Sequence, residues 1–205
     1  MRWHTGQIQY TIKVIIQIFS GIACQERMFT FPMSTSVEQH REEAPSTVNC
    51  MVITVSDTRT PSTDKSGTLL IELLKAGGYQ TTRYAIVKDE YSEIQSALRS
   101  GASDPAVEAI LLNGGTGIAK RDTTYEAVKD LLDKEMHGFG EIFRYLSFAE
   151  DIGTAAILSR AIAGVYEDTA IFSMPGSSGA VRLAAERIIV PELGHVMREI
   201  YKDIR

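Results

Sequence analysis

The chain has 205 residues and a formal net charge of −5, with 44% hydrophobic and 23% charged residues. It is long enough to bury a core of its own, and Cys24 and Cys50 are too few for a structural metal framework or a secreted disulfide scaffold. The acidic balance argues against nucleic acid as a partner, because that footprint is basic.

The first 47 residues form a segment apart. Arg2, Lys13 and Arg27 against Glu26 give residues 1–32 a net +2, leaving −7 for the remainder. Ile8 to Ala23 is mostly apolar, but Gln9, Lys13 and Gln17 interrupt it, and it is too short for a membrane span. The positive start and Gly21-Ile22-Ala23 suggest an export signal, whereas Ile8, Ile12, Ile15 and Phe19 recur at helical spacing. We favour a third reading, in which Met33 is the functional start and the upstream residues are an in-frame extension. Ser34 to Thr47 then serves as a polar, disordered lead-in to a domain over 48–205. On that reading the protein is cytoplasmic and Cys50 is a buried, reduced thiol.

From Val48 strands alternate with helices. Val48 to Val55 reads as a buried parallel strand, followed by a polar loop from Ser56 to Ser66. A helix over Thr68–Ala76 carries Leu69, Leu70, Leu73 and Leu74 and ends at Gly77-Gly78. Thr81 to Val87 is the second strand, and Asp89 stands at the N-cap of a helix to about Arg99. Ala109 to Leu112 is the third strand. Thr123-Thr124-Tyr125-Glu126 spells a capping box, opening helical pattern that breaks at Gly138 and Gly140 and continues to about Ala149. A further helix is expected over Ala155–Ala161, a fourth strand over Thr169–Met174, and a last helix from Gly179 to Ile204, interrupted at Pro191. The alternation predicts a three-layer α/β/α domain with a mostly parallel central sheet.

Three strand ends are polar and glycine-rich: Ser56-Asp57-Thr58-Arg59, Asn113-Gly114-Gly115-Thr116-Gly117, and Met174-Pro175-Gly176-Ser177-Ser178-Gly179. Parallel sheets bind ligands at the carboxyl ends of their strands, and successive glycine amides can cradle an anion. Each loop alone is an ordinary tight connection. No Gly-Lys-Ser/Thr follows the glycine turn, and Lys120 stands where a dinucleotide fingerprint needs its third glycine. The weight comes from three such loops at one end of one sheet. Lys120, Arg121 and Asp122 beside the turn suit a phosphate with a divalent cation, since Mg²⁺ takes carboxylate, water and phosphate oxygens. The plainer alternatives are helix-start electrostatics for Asp122 and a simple N-cap for Asp89. His137 and His195 lie far apart, so zinc spacing is absent, and no Ser–His–acid or Cys–His set can be assembled.

Several spaced blocks between Val52 and Glu192 resemble the MoaB/MogA family of molybdenum cofactor biosynthesis. They are Val55-Ser56-Asp57, Gly67, Val87-Lys88-Asp89-Glu90, Gly114-Gly115-Thr116-Gly117, Arg121-Asp122-Thr123, Gly138-Phe139-Gly140-Glu141 and Met174-Pro175-Gly176-Ser177. Phe143-Arg144-Tyr145-Leu146-Ser147, Ile152-Gly153-Thr154 and Leu158-Ser159-Arg160-Ala161 are similar to the MoaB branch. The resemblance implies a molybdopterin-binding domain, assembled as a homotrimer or homohexamer. It implies adenylyl transfer from Mg-ATP to molybdopterin, with Asp89 and Asp122 as catalytic and Mg²⁺-binding residues. Ser56, Asp57, Gly114, Gly115, Thr116, Gly117, Arg121, Pro175, Gly176 and Ser177 are implied to contact ligand, and Glu141 more weakly. A downstream molybdenum-inserting protein would receive the product. Two departures stand out: Asn113 where many relatives carry Thr, and Gly179 where some carry Lys. A non-catalytic molybdopterin carrier and an unrelated phosphohydrolase using the same aspartates remain as alternatives.

Overall fold

The computed structural model describes residues 43–202. The expectations placed on residues 1–32, on the Met33 start and on most of the lead-in lie outside these. So does the expected end of the last helix at Ile204.

Among the described residues six strands form one sheet in the order β2-β1-β3-β6-β5-β4. They are β1 (Asn49–Val55), β2 (Gln80–Val87), β3 (Ala109–Asn113), β4 (Lys134–Glu135), β5 (Ile162–Tyr166) and β6 (Thr169–Met174). β2, β1, β3 and β6 run parallel, while β5 is antiparallel to β6 and β4 to β5. The central strands are apolar on both faces because both faces are covered. Cys50, Val52, Ala109, Leu111, Phe172 and Met174 face one core layer; Met51, Ile53, Val55, Ile110, Leu112 and Ile171 face the other. The first layer is closed by α1 (Lys65–Ala76), α4 (His137–Leu146), α5 (Ser178–Ala184) and α6 (Val190–Tyr201). The second is closed by α2 (Tyr91–Ala102) and α3 (Thr124–Lys129).

Several boundaries differ from the sequence reading. α1 begins at Lys65 rather than Thr68, because the Asp64 side chain caps it by accepting from the Gly67 amide at 3.0 Å. Asp89 does not cap α2, whose N-cap is Glu90 without a side-chain hydrogen bond. The Thr123–Glu126 capping box does not close either. Thr123 makes no side-chain cap bond; its amide donates instead to Asp89 Oδ1 at 3.1 Å, and Glu126 pairs with Arg160. Helical structure breaks between Asp130 and Met136, where β4 intervenes, and α4 runs straight through Gly138 and Gly140. Gly140 is small for a packing reason: a Cβ there would press on the Ala161 carbonyl. The helix expected over Ala155–Ala161 is a 3₁₀ segment, Gly153–Leu158, preceded by a π turn at Ser147–Asp151. It gives way to β5, a strand the apolar pattern alone does not separate from the helix before it. The last helix is two helices joined by a π turn at Ala185–Ile189, with Pro191 in the first turn of α6, directly after that turn. Among the described residues no helix is long and apolar enough to cross a membrane.

Candidate functional site

β1, β3 and β6 are parallel neighbours, so their carboxyl ends bring the three polar loops side by side. A cleft of about 610 Å³ opens there. It is lined by Ser56, Gly114, Gly115, Thr116, Gly117, Pro175, Gly176 and Ser177, and also by Arg59, Ile152 and Leu158. A larger hollow of about 710 Å³ sits by β4 and α6, with Glu135, Val165 and His195 in its wall, and contains none of the glycine-loop residues.

The glycine turn is shaped by close contacts. Gly114 has φ +107° and Gly115 φ +60°, conformations that only glycine adopts readily. A Cβ on Gly114 would strike the Val55 carbonyl, and one on Gly115 would strike Thr124 Oγ1 and Asp89. The Gly114 amide donates to the Met174 carbonyl at 3.1 Å, tying the turn to the end of β6. Among the described residues the amides of Gly115, Thr116, Gly117 and Ile118 donate to no protein acceptor. Successive N–H groups left free in this way beside a cleft can cradle an anion. The α5 N-terminus, capped by Ser177 Oγ accepting from the Ala180 amide at 3.2 Å, borders the same cleft.

Asp89 and Asp122 flank the turn rather than line the cleft. Asp89 Oδ1 accepts from the Thr123 amide at 3.1 Å and from the Thr123 and Thr124 hydroxyls at 3.3 and 3.5 Å. Its Oδ2 lies against Gly115. Asp122 Oδ2 accepts from the Ala119 amide at 2.8 Å, and the carboxylate packs against Gly117. Each carboxylate thus commits one oxygen to backbone and keeps one oxygen without a hydrogen bond among the described residues. Asp57 joins the group, accepting from the Asp89 amide at 3.1 Å and pairing with Arg121. Among the described residues no three His, Cys, Asp or Glu side chains are arranged to hold a metal ion. Two carboxylates with free oxygens beside an anion cradle nevertheless fit Mg²⁺, which is bound through one or two carboxylates plus waters and substrate phosphates. Glu141 stands exposed on α4 and does not line the cleft.

Asn113 is buried and turned into the protein. Its amide nitrogen donates to Thr54 Oγ1 at 2.9 Å, and its oxygen accepts from Ser66 at 2.7 Å. It therefore braces the strand ends and does not line the cleft. Ser66 belongs to a network centred on Asp64, which is buried and paired with Arg59 at 3.2 Å. Burial would raise the Asp64 carboxyl, but hydrogen bonds from Thr54, Tyr84, the Gly67 amide and Ser66 outweigh it and hold it below its ordinary value. Burial and the same hydrogen bond to Asp64 push the Tyr84 hydroxyl up to about 12. Arg59 in turn donates to the Gly176 carbonyl at 3.2 Å, so the network reaches the third loop.

Arg160, which precedes β5, grips the glycine turn. Its Nε donates to the Thr116 carbonyl at 3.0 Å, and its Nη2 donates to the Gly117 carbonyl and to that of Asp122 at 3.3 Å. Glu126 pairs with it, and its guanidinium lies 5.1 Å from the Tyr125 ring centroid. Sequence reasoning placed neither Arg160 nor Asp64 in the site. Asp64 left a trace as a polar residue before a Ser-Gly-Thr helix start, whereas Arg160 falls in the Leu158–Ala161 block of the resemblance but meets the turn 44 and 43 residues away, so nothing near it in sequence names its partners.

Comparison with known proteins agrees with this architecture. The family described as "Probable molybdopterin binding domain" matches residues 51–195. The chain is 73% identical over 168 residues to the molybdenum cofactor biosynthesis protein B of Halalkalibacterium halodurans, covering 82% of this chain and 99% of that one. A crystal structure of a molybdenum cofactor biosynthesis protein B superposes with TM-score 0.76 at 56% identity, over 78% of this chain and 99% of that one. The tungsten cofactor synthesizing protein MoaB from Pyrococcus furiosus superposes with TM-score 0.69 at 39% identity, over 77% and 99%. The chain therefore belongs to the MoaB/MogA family of molybdopterin-binding domains, within its MoaB branch.

Proposed function

We propose that this chain, in molybdenum cofactor biosynthesis, transfers an adenylyl group from Mg-ATP to molybdopterin. A phosphate oxygen of molybdopterin attacks the α-phosphorus of ATP. The new P–O bond forms as the bond from that phosphorus to the oxygen bridging to the β-phosphate breaks, and pyrophosphate leaves with the electron pair. The attacking phosphate is already ionised, so no base is required. One anion must approach another, and catalysis is then positioning and charge neutralisation.

The observation that carries this reading is the pair of carboxylates, Asp89 and Asp122, held by backbone amides on either side of a turn with four free N–H groups. The free oxygens of Asp89 and Asp122 would hold Mg²⁺, directly or through water. Bound there, the cation supplies charge stabilisation to the phosphates as the transferring group develops. The turn amides receive phosphate oxygens, and Arg121, oriented by Asp57, adds positive charge at the rim. Ser177 and the α5 N-terminus offer a second place for phosphate or pterin. The product would pass to a molybdenum-inserting protein in the cytoplasm.

We further propose that the chain works as a homotrimer or a pair of trimers. Ile142, Tyr145, Phe148, Ile152, Ile157 and Leu158 are exposed along α4 and the turns after it, and Ile118 is exposed at the tip of the glycine turn. Apolar exposure on this scale marks an interaction face.

The test is incubation of the full chain with molybdopterin, ATP and Mg²⁺. The expected result is adenylyl-molybdopterin and pyrophosphate in equal amounts. Tight pterin binding without ATP consumption would make the protein a carrier. ATP breakdown without pterin would make it a phosphohydrolase.

A further inference from the structure

We propose that Arg160 is a positioning residue that presents the glycine turn and both aspartates to the transferring phosphate. Its catalytic consequence rests on the adenylyl-transfer reading; its structural part does not.

The argument begins with peptide geometry. In a trans peptide the N–H points opposite the C=O. Arg160 takes the carbonyls of Thr116 and Gly117, so the amides of Gly117 and Ile118 are directed away from it. Those two amides have no protein acceptor among the described residues. The third carbonyl it takes is that of Asp122, and the N–H of the same peptide unit, on Thr123, donates to Asp89 Oδ1. One guanidinium is thus joined through single peptide units to the anion cradle, to the backbone of Asp122 and to the carboxylate of Asp89. It also brings positive charge close behind a turn that must accept phosphate.

Arg160 is itself held. Glu126 takes Nη1, and the Tyr125 ring lies under the guanidinium. Its side chain is 24% exposed, so the fork is fixed before substrate arrives. The three carbonyls come from two segments of chain, and the planar fork meets them with two of its nitrogens. A lysine, with one nitrogen on a flexible stem, cannot reproduce that.

The experiment compares the full-length parent with Arg160→Ala and Arg160→Lys, each with and without millimolar, sub-denaturing guanidinium. Two readouts are used: steady-state adenylyl transfer, and the amide resonances of Gly115, Thr116, Gly117 and Ile118 in the unliganded protein. We expect Arg160→Ala to lower kcat about a hundredfold, the scale of losing one pre-aimed donor in a transition state, with KM for ATP changed only a few-fold. We expect its turn resonances to broaden or split, and guanidinium to restore both readouts. Arg160→Lys should stay impaired although it keeps the charge. Unshifted turn resonances in Arg160→Ala, or parental kcat in Arg160→Lys, would overturn the proposal. Should the parent itself make no adenylyl-molybdopterin, the functional reading fails, and the turn resonances alone decide the positioning role. Should Arg160→Ala not fold, the turn resonances of Arg160→Lys decide it: broadening or splitting there supports the positioning role, and parental resonances overturn it.

Discussion

At the scale of single residues, carboxylates here divide into those that hold structure and those that keep an oxygen free. Asp122 spends one oxygen on the Ala119 amide, which an asparagine can still satisfy. We predict that Asp122→Asn loses no more than about 1 kcal/mol of stability while adenylyl transfer falls by orders of magnitude, because the lost charge matters most in the transition state. Parental turnover in that variant would remove Asp122 from catalysis. Asp89→Asn should be as inactive but less stable, since an amide and two hydroxyls all donate to Asp89 Oδ1 at the α3 start and lose the charge that strengthens them; a loss of about 1–2 kcal/mol is expected from urea titration. Asp64 is the structural extreme. Its carboxyl is depressed in the folded state, so its contribution is fully present above the ordinary carboxyl pKa of about 3.9 and is lost as pH falls through the folded value. An asparagine there would turn an NH₂ toward donors, and leaving buried groups unsatisfied in this way costs about 1–3 kcal/mol. The gap between parent and Asp64→Asn should therefore be wide at neutral pH and close below the ordinary carboxyl range. A gap independent of pH would mean that shape rather than charge is what Asp64 contributes.

Among the elements, the β5–β6 hairpin carries the clearest local cost. Its turn residue Glu167 has φ +52°, a region that costs a side-chain-bearing residue about 1–2 kcal/mol and that asparagine tolerates better. Its amide donates to Asp133 Oδ2 at 2.7 Å and would do so in any replacement. We predict that Glu167→Asn raises the urea midpoint without altering transfer activity; an unchanged or lower midpoint would show that the Glu167 side chain compensates the strain. The same hairpin shows where sequence patterning stops. β1, β3 and β6 were legible because their apolar runs are bounded by polar glycine loops, and those loops in turn made the site legible. β5 was not, since Ile162-Ala163-Gly164-Val165-Tyr166 follows an alanine-rich 3₁₀ segment without a turn signal between them. Asp89 was misassigned for a different reason, and Thr123 takes its N-cap position without the expected capping bond. Both carry good capping chemistry, but the tertiary fold joins the Thr123 amide and hydroxyl to the Asp89 carboxylate across 34 residues. Arg160 shows the same limit, its partners being set by the fold alone.

For the molecule as a whole, the exposed apolar face has to be reconciled with a stable assembly. Ile157 is 85% exposed, Ile118 70% and Tyr145 68%, and with Ile142, Phe148, Ile152 and Leu158 they expose more large apolar side chain than scattered surface hydrophobics account for. A cyclic trimer needs two different, complementary halves. α4 and its π turn, with Ile142, Tyr145 and Phe148, offer one; Ile118 with Ile157 and Leu158 offers the other. Because Leu158 and Ile152 also line the cleft, such an interface would run along the lip of the ligand site. Ile157→Asp discriminates well. In an isolated chain an aspartate at so exposed a position should shift stability by no more than about 0.5 kcal/mol, whereas within a subunit contact it buries an unpaired charge. We predict that light scattering at micromolar concentration gives the parent three or six times the mass of one chain, and Ile157→Asp the mass of one. Transfer activity in that variant should drop if closure of the lip by a neighbouring copy matters. A parental mass for Ile157→Asp would place the subunit contact elsewhere, and a monomeric parent would leave this face open to a different protein.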